Sequence, residues 1–262
     1  MKAIILAAGR GTRMGKYTEG LPKCMLKFDG KTLIETQIET LRDAGIRSII
    51  VVKGYMPEKI TPPGIKYYIN TNFSDTNMVE TLMCAEQEMD DDVIVCYGDI
   101  LYEKKIIEKA ISSDANIGVI VDTDYLEYWK SRSDEWYEDV ESLIVDHGNI
   151  VEIGIPNCPL ENAKSRYVGI IKFSKEGVGT LKKVYHENRE KYFDKNAAWM
   201  ASTSFKNAYM TCMLNAIIKE GYNLTPIVIN RGWIEFDTAE DYELATKWLI
   251  NGSIKRFCNP QG

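Results

Sequence analysis

The stretch Leu6-Ala7-Ala8-Gly9-Arg10-Gly11-Thr12-Arg13-Met14-Gly15, followed by Leu21-Pro22-Lys23, decides how this 262-residue chain is read. The apolar run Ala3 to Ala8 reads as a buried strand, and glycines at 9, 11 and 15 let the backbone turn and present N–H groups to an anion. Arg10, Arg13, Lys16, Lys23 and Lys27 stand here against only Glu19 and Asp29. Positive charge is thus concentrated at one place in a chain of net charge -6.

Two familiar phosphate motifs fail on spacing. The dinucleotide fingerprint needs G-x-G-x-x-G opening into a helix, but the third glycine comes one residue late and Pro22 interrupts any helix there. The Walker loop needs G-x-x-x-x-G-K-[ST], whereas Gly15-Lys16 is followed by Tyr17 and position 10 is not glycine. A plain surface loop is the other reading of the residues alone.

Leu6 to Gly15 with Pro22-Lys23 resembles the signature of the nucleotidyltransferases that activate sugar phosphates and small phosphorylated alcohols, L-A-A-G-x-G-[ST]-R-(M/L)-G followed by P-K. The resemblance implies an α/β fold: a three-layer, doubly wound, mostly parallel Rossmann-like sheet with a small inserted lid. One domain over residues 1–262 is expected, with the lid at 123–166 binding the acceptor. It also implies that Lys23 serves the phosphates, Arg13 the pyrophosphate, and Leu6, Ala7, Ala8, Gly9 and Gly11 the nucleotide.

Composition agrees with a globular enzyme: 45% hydrophobic and 27% charged residues, with no run near the ~20 apolar residues of a membrane span. Six cysteines without C-x-x-C spacing indicate neither a zinc site nor a disulfide framework. Two histidines leave little material for histidine chemistry, and the net negative charge argues against nucleic acid as the partner. A cytoplasmic location is expected; a homodimer is left open.

Strand and helix patterns alternate through the first half. Thr32 with Glu35, Asn77 with Glu80 and Thr238 with Asp241 read as helix caps, and the helix after Asn77 is expected to reach Met89. Val93 to Tyr97 reads as a buried strand stopping at Gly98-Asp99, and open α/β sheets bind ligands beyond such strand ends. Between Thr123 and Glu141 acids and aromatics interleave, which reads as an irregular lid. A hairpin is expected to turn at Gly148-Asn149.

Nucleotidyl transfer needs the reacting groups held in line and negative charge neutralised, which Mg²⁺ and cationic side chains supply. Asp99 resembles the family's metal aspartate, and Trp233 to Asp241 resembles its late W-x-E-(I/V)-D-[ST]-x-x-D segment, making Asp237 the second ligand with Glu235 beside it. Turn formation or helix capping is the alternative for each aspartate. Asp75-Thr76-Asn77-Met78-Val79 is close to the T-N-M motif of the phosphocholine and phosphonate cytidylyltransferase branch, which implies CTP, with Thr76, Asn77, Met78 and Tyr97 near the base.

For the acceptor, a small phosphate or phosphonate such as phosphocholine or 2-aminoethylphosphonate, the candidates are Lys172, Asp122, Trp129, Trp136, Asp139 and Trp199. An aromatic and acidic wall suits an ammonium group. The chain departs from the branch at Tyr209-Met210-Thr211, where the branch carries D-M-T, so the acceptor is open. The competing readings are a sugar-1-phosphate nucleotidyltransferase using UTP, dTTP or GTP, and a nucleotide-binding module without turnover.

Overall fold

A computed structural model describes residues 1–195 and 197–259. Along the chain run β1 (Lys2–Ala7), a short hairpin of β2 (Lys27–Phe28) and β3 (Lys31–Thr32), α1 (Leu33–Asp43), β4 (Ser48–Lys53), β5 (Lys66–Ile69), α2 (Met78–Met83), β6 (Val93–Tyr97) and β7 (Ile100–Tyr102). There follow α3 (Lys104–Ile111), β8 (Ile117–Asp122), α4 (Leu126–Arg132), β9 (Glu141–Asp146), β10 (Asn149–Pro156) and β11 (Arg166–Phe173). The chain closes with α5 (Lys175–Tyr192), α6 (Met210–Lys219), β12 (Thr225–Ile229), β13 (Trp233–Glu235) and α7 (Ala239–Asn251).

Because successive strand residues face opposite ways, a continuously apolar strand needs cover on both faces. In β1, Ala3, Ile5 and Ala7 enter one core with Ile38 of α1 and Ile106 of α3, while Ile4 and Leu6 enter a second with Leu82 of α2, Leu181 of α5 and Leu214 of α6. The result is three layers around a seven-stranded sheet of order β12-β8-β11-β6-β1-β4-β5. The sheet is mostly parallel, with β11 alone antiparallel to its neighbours β6 and β8. Among the described residues no helix is long and apolar enough to cross a membrane.

The caps at Thr32 and Thr238 form complete capping boxes with Glu35 and Asp241. Three expectations need correction. The helix after Asn77 stops at Met83 and tightens into a 3₁₀ turn at Glu86–Glu88, which still keeps Ala85 and Met89 in the core. The hairpin turns at His147-Gly148, both at positive φ, one residue earlier than expected, as a two-residue turn between paired Asp146 and Asn149. The segment after Thr123 is not irregular: Tyr125, Tyr128 and Trp129 lie at helical spacing, and α4 buries them against Trp233 and Phe257.

Candidate active site

The chain leaves β1, an interior strand of the sheet beside β6, and loops back over its carboxyl end. Gly11 sits at φ 72°, and the Thr18 hydroxyl donates to its carbonyl at 2.8 Å, closing the loop. A Cβ on Gly11 would stand 2.8 Å from the Lys23 Cβ, so the missing side chain is what lets the Lys23 stem pass beneath the loop. Gly11→Ala is therefore expected to displace Lys23 and cut turnover about 10-fold or more, since a ~1 Å misplacement can cost ~10²-fold. Steady-state rates of a variant with an unchanged melting temperature check this.

Lys23 carries its ammonium to the strand ends. Its Nζ donates to Asp99 Oδ2 at 2.6 Å and to Asp237 Oδ1 at 3.0 Å, and Arg13 donates to the same Asp237 oxygen at 3.2 Å. Asp99 comes from the turn between β6 and β7, and Asp237 from the turn between β13 and α7. Pairing of β13 with β7 brings the two turns together, and the Phe236 N–H donates to the Asp99 carbonyl. Burial disfavours charge on both partners, but the aspartates override it and raise Lys23, while Lys23 and Arg13 hold the Asp237 carboxyl far below its usual range.

Glu235 lies alongside, its carboxyl pushed up by burial, against the opposing charge of Arg132 at 2.6 Å. Arg132 also grips both oxygens of Asp241 at 2.9 Å. Asp241 in turn accepts from the backbone N–H groups of Asp237 and Thr238. One guanidinium thus ties α4 to the turn that carries Asp237.

Two cavities open onto this cluster. A slot of about 120 Å³ is lined by Leu6, Ala7, Ala8 and Gly9 on one side and Thr76, Asn77 and Met78 on the other, with Tyr97 and Lys23 at its base. Asn77 caps α2 by accepting the Met78 N–H at 2.8 Å, so its carbonyl is used locally. Phe73, Thr81 and Cys24 also line the slot; nothing in their local pattern singled them out. A larger cavity of about 420 Å³ shares Met78, Tyr97 and Asp99 with the slot and extends to Glu141, Arg166 and Tyr209.

A family model of the MobA-like NTP transferase domain matches residues 3–149. The chain belongs to this NTP transferase family. The CTP:phosphoglutamine cytidylyltransferase of Campylobacter jejuni is 32% identical over 256 residues, covering 93% of this chain and 98% of that protein. The choline-phosphate cytidylyltransferase of Streptococcus pneumoniae is 31% identical over 150 residues, 56% of this chain and 64% of that protein. The solved CTP:phosphocholine cytidylyltransferase from S. pneumoniae shares the fold, with a TM-score of 0.68 at 22% identity over 95% of this chain and 98% of that one.

In this NTP transferase the residues proposed from sequence for the acceptor are scattered. Lys172 lies at the opposite end of the sheet, where its Nζ donates to the Ser113 and Ala115 carbonyls at 3.2 and 2.6 Å. The cause is the reversed direction of β11, which puts its start, not its end, beside the site. Asp122 is buried, its oxygens taken by the Trp233 indole and the N–H groups of Asp124 and Arg231. Trp129 is a core residue stacked at 4.1 and 4.0 Å by the Arg132 and Arg166 guanidiniums.

Trp199 is likewise buried, edge-on to Phe205 and donating to Asn188, and it lines neither cavity. Trp136 and Asp139 line a third cavity, of about 440 Å³, on the outer side of Arg13 and Asp237. The wall of the 420 Å³ cavity comes instead from Glu141, Gly154, Arg166, Tyr167, Tyr209 and Thr211. Of these, only Tyr209 and Thr211 carried a sequence signal, through the altered D-M-T position.

Two carboxylates within bonding distance of one ammonium are close enough to share one cation. Among the described residues no group of three or more His, Cys, Asp or Glu is set to cage a metal. That donor set fits Mg²⁺, which takes one or two carboxylates and completes its shell with water and phosphate oxygens. Asp99 and Asp237 would hold the ion, while Glu235 is engaged by Arg132.

Proposed function

We propose that this chain is a Mg²⁺-dependent cytidylyltransferase that joins the CMP moiety of CTP to a small phosphorylated or phosphonate acceptor and releases pyrophosphate. The observation that carries the reading is the meeting of Asp99 and Asp237 on the Lys23 ammonium, between a narrow base-sized slot and a larger polar cavity. Relatives that act on phosphoglutamine and choline phosphate support the choice of CTP and of a non-sugar acceptor. The free cysteines suit a cytoplasmic enzyme.

In this reading the base enters the slot between Ala7, Ala8 and Gly9 and the Thr76–Met78 segment. Asn77, with its carbonyl committed to the α2 cap, offers the base its amide N–H groups. An oxygen of the acceptor phosphate attacks the α-phosphorus of CTP; a new P–O bond forms as the bond to the β-phosphate bridging oxygen breaks, and pyrophosphate carries away the electron pair. Held by Asp99 and Asp237, Mg²⁺ would neutralise charge on the phosphates. Lys23, freed from one of its two carboxylates, bears on the α-phosphate, and Arg13, exposed at the rim, meets the leaving pyrophosphate.

Pyrophosphate release should require CTP, a non-sugar acceptor and Mg²⁺, and a chelator should lower it by more than about 10²-fold. An assay of four nucleoside triphosphates against phosphonate, amino-alcohol and sugar phosphates checks this. Preference for UTP, dTTP or GTP with a sugar 1-phosphate would overturn the reading.

A further inference from the structure

We infer that Gln37 is a positioning residue for the divalent ion: from the buried face of α1 it fixes the backbone turn that carries Asp99. The inference rests on the proposed transfer and adds a residue to its metal site.

One face of α1 is buried against the sheet, and Leu33, Ile34, Ile38 and Leu41 on that face are almost wholly enclosed. Helical spacing from Leu33 and Ile34 places Gln37 among them, 1% exposed. A buried amide needs partners. Its Nε2 donates to the Tyr97 carbonyl at 3.1 Å and to the Ile100 carbonyl at 2.7 Å, so both hydrogens go to the residues that flank Gly98-Asp99. Among the described residues its Oε1 accepts from nothing, and the amide holds the protein through its nitrogen alone.

Two carbonyl oxygens turned towards one nitrogen would, without it, face each other across a buried gap with this donor lost. The shape of the turn therefore depends on Gln37. Backbone bonds hold the other sides: the Gly98 N–H donates to the Leu6 carbonyl at 3.0 Å, and the Phe236 N–H to the Asp99 carbonyl at 3.0 Å. A Cβ on Gly98 would stand 2.6 Å from that Leu6 oxygen, so the turn sits flush on β1. Gln37 adds the side-chain part of this clamp.

The same helix also holds the partner of Asp99. The Leu33 N–H donates to the Leu26 carbonyl at 2.9 Å, and the Leu26 N–H donates to the Lys23 carbonyl at 3.1 Å. Through these contacts α1 sets the Lys23 ammonium and the Asp99 carboxylate in register, 2.6 Å apart. The turn of Asp237 is held in the complementary way, through N–H groups that donate to the buried Asp241 carboxylate. Mg²⁺ demands near-ideal octahedral geometry, so each carboxylate needs a fixed backbone beneath it.

The test uses the full chain with CTP and reads Mn²⁺ in place of Mg²⁺, by the loss of the free-ion electron paramagnetic resonance signal. Gln37→Met keeps the side-chain length and removes both donors; it should raise the Mn²⁺ dissociation constant about 10-fold or more, the scale on which outer-shell partners act on metal sites. Affinity for cytidine without metal should hold, because the base slot is walled by Ala7 to Gly9 and Thr76 to Met78. Gln37→Asn, too short to reach both carbonyls, should shift Mn²⁺ binding in the same direction and replaces Gln37→Met if that variant does not fold. Ile38→Val removes a methylene from the same helix face and no hydrogen bond, so it should lower the melting temperature and leave Mn²⁺ affinity as it was. Unchanged Mn²⁺ binding in the Gln37 variant, an equal loss in Ile38→Val, or an equal loss of cytidine affinity would overturn the inference. The Gln37 effect seen with UTP and not with CTP would overturn the choice of nucleotide and support the inference. Wild-type protein that binds Mn²⁺ with neither nucleotide would end both.

Discussion

Asp237→Asn is expected to lower turnover by about 10²–10³-fold, on the scale of removing one electrostatic element from a preorganised site. Asp99→Asn should match it, because in the proposed reading the two carboxylates hold one cation and the loss of either would leave a single ligand. The fold should survive both changes, since Lys23 keeps one carboxylate partner in each variant, at 2.6 or 3.0 Å. Parallel measurement of rate and thermal unfolding separates the effects. An Asp237→Asn enzyme with native turnover would remove the metal role from this residue.

Arg132→Met should be the most damaging change outside the reacting groups. The guanidinium is buried, makes two bonds at 2.9 Å to Asp241 and one at 2.6 Å to Glu235, and stacks on Trp129. Its removal leaves two buried carboxylates without a counter-charge, a change worth about 3–5 kcal/mol in comparable buried pairs. The Asp241 side chain would also lose its anchor while holding the N–H groups of Asp237 and Thr238, so the Mg²⁺ concentration for half-maximal rate should rise with the loss of stability. Arg132→Lys should recover part of the stability and little of the metal response, because an ammonium cannot span both carboxylates with a planar fork. Urea unfolding with a Mg²⁺ titration of the rate checks both; native stability in Arg132→Met would contradict the anchoring role.

What could be read in the chain before its fold was known divides along physical lines. The slot beside β1 was legible because its parts are local: a strand end with its glycine turn, and a helix cap at Thr76–Met78, each written in a few consecutive residues. Asp99 and Asp237 were legible as strand-terminating acids. Their meeting was implied by the family resemblance; what the sequence did not show is the element that makes it, the three-residue pairing of β7 with β13.

Strand direction was the deepest blind spot. The run Val168 to Phe173 is apolar on both faces and carries no mark of orientation, yet its reversal sends Lys172 to the far end and brings Arg166 to the site. The aromatic residues of the arm misled for a related reason. Acids interleaved with aromatics along the arm suggested a ligand-facing surface, but helical spacing turns Tyr125, Tyr128 and Trp129 into the core and leaves Asp124 outside. Glu141 was one acid in a stretch of several, and only the folded wall shows it without a partner.

The central claim is that Asp99 and Asp237 together hold one divalent ion against the phosphates of CTP. A crystal of the protein grown with CTP and Mn²⁺ in place of Mg²⁺, with data collected at the manganese edge, tests it most directly. The account predicts an anomalous peak bridging the two carboxylates and the nucleotide phosphates, with Lys23 turned to the phosphates. A manganese peak bound elsewhere, with Lys23 still clamped between Asp99 and Asp237 while CTP is present, would contradict it.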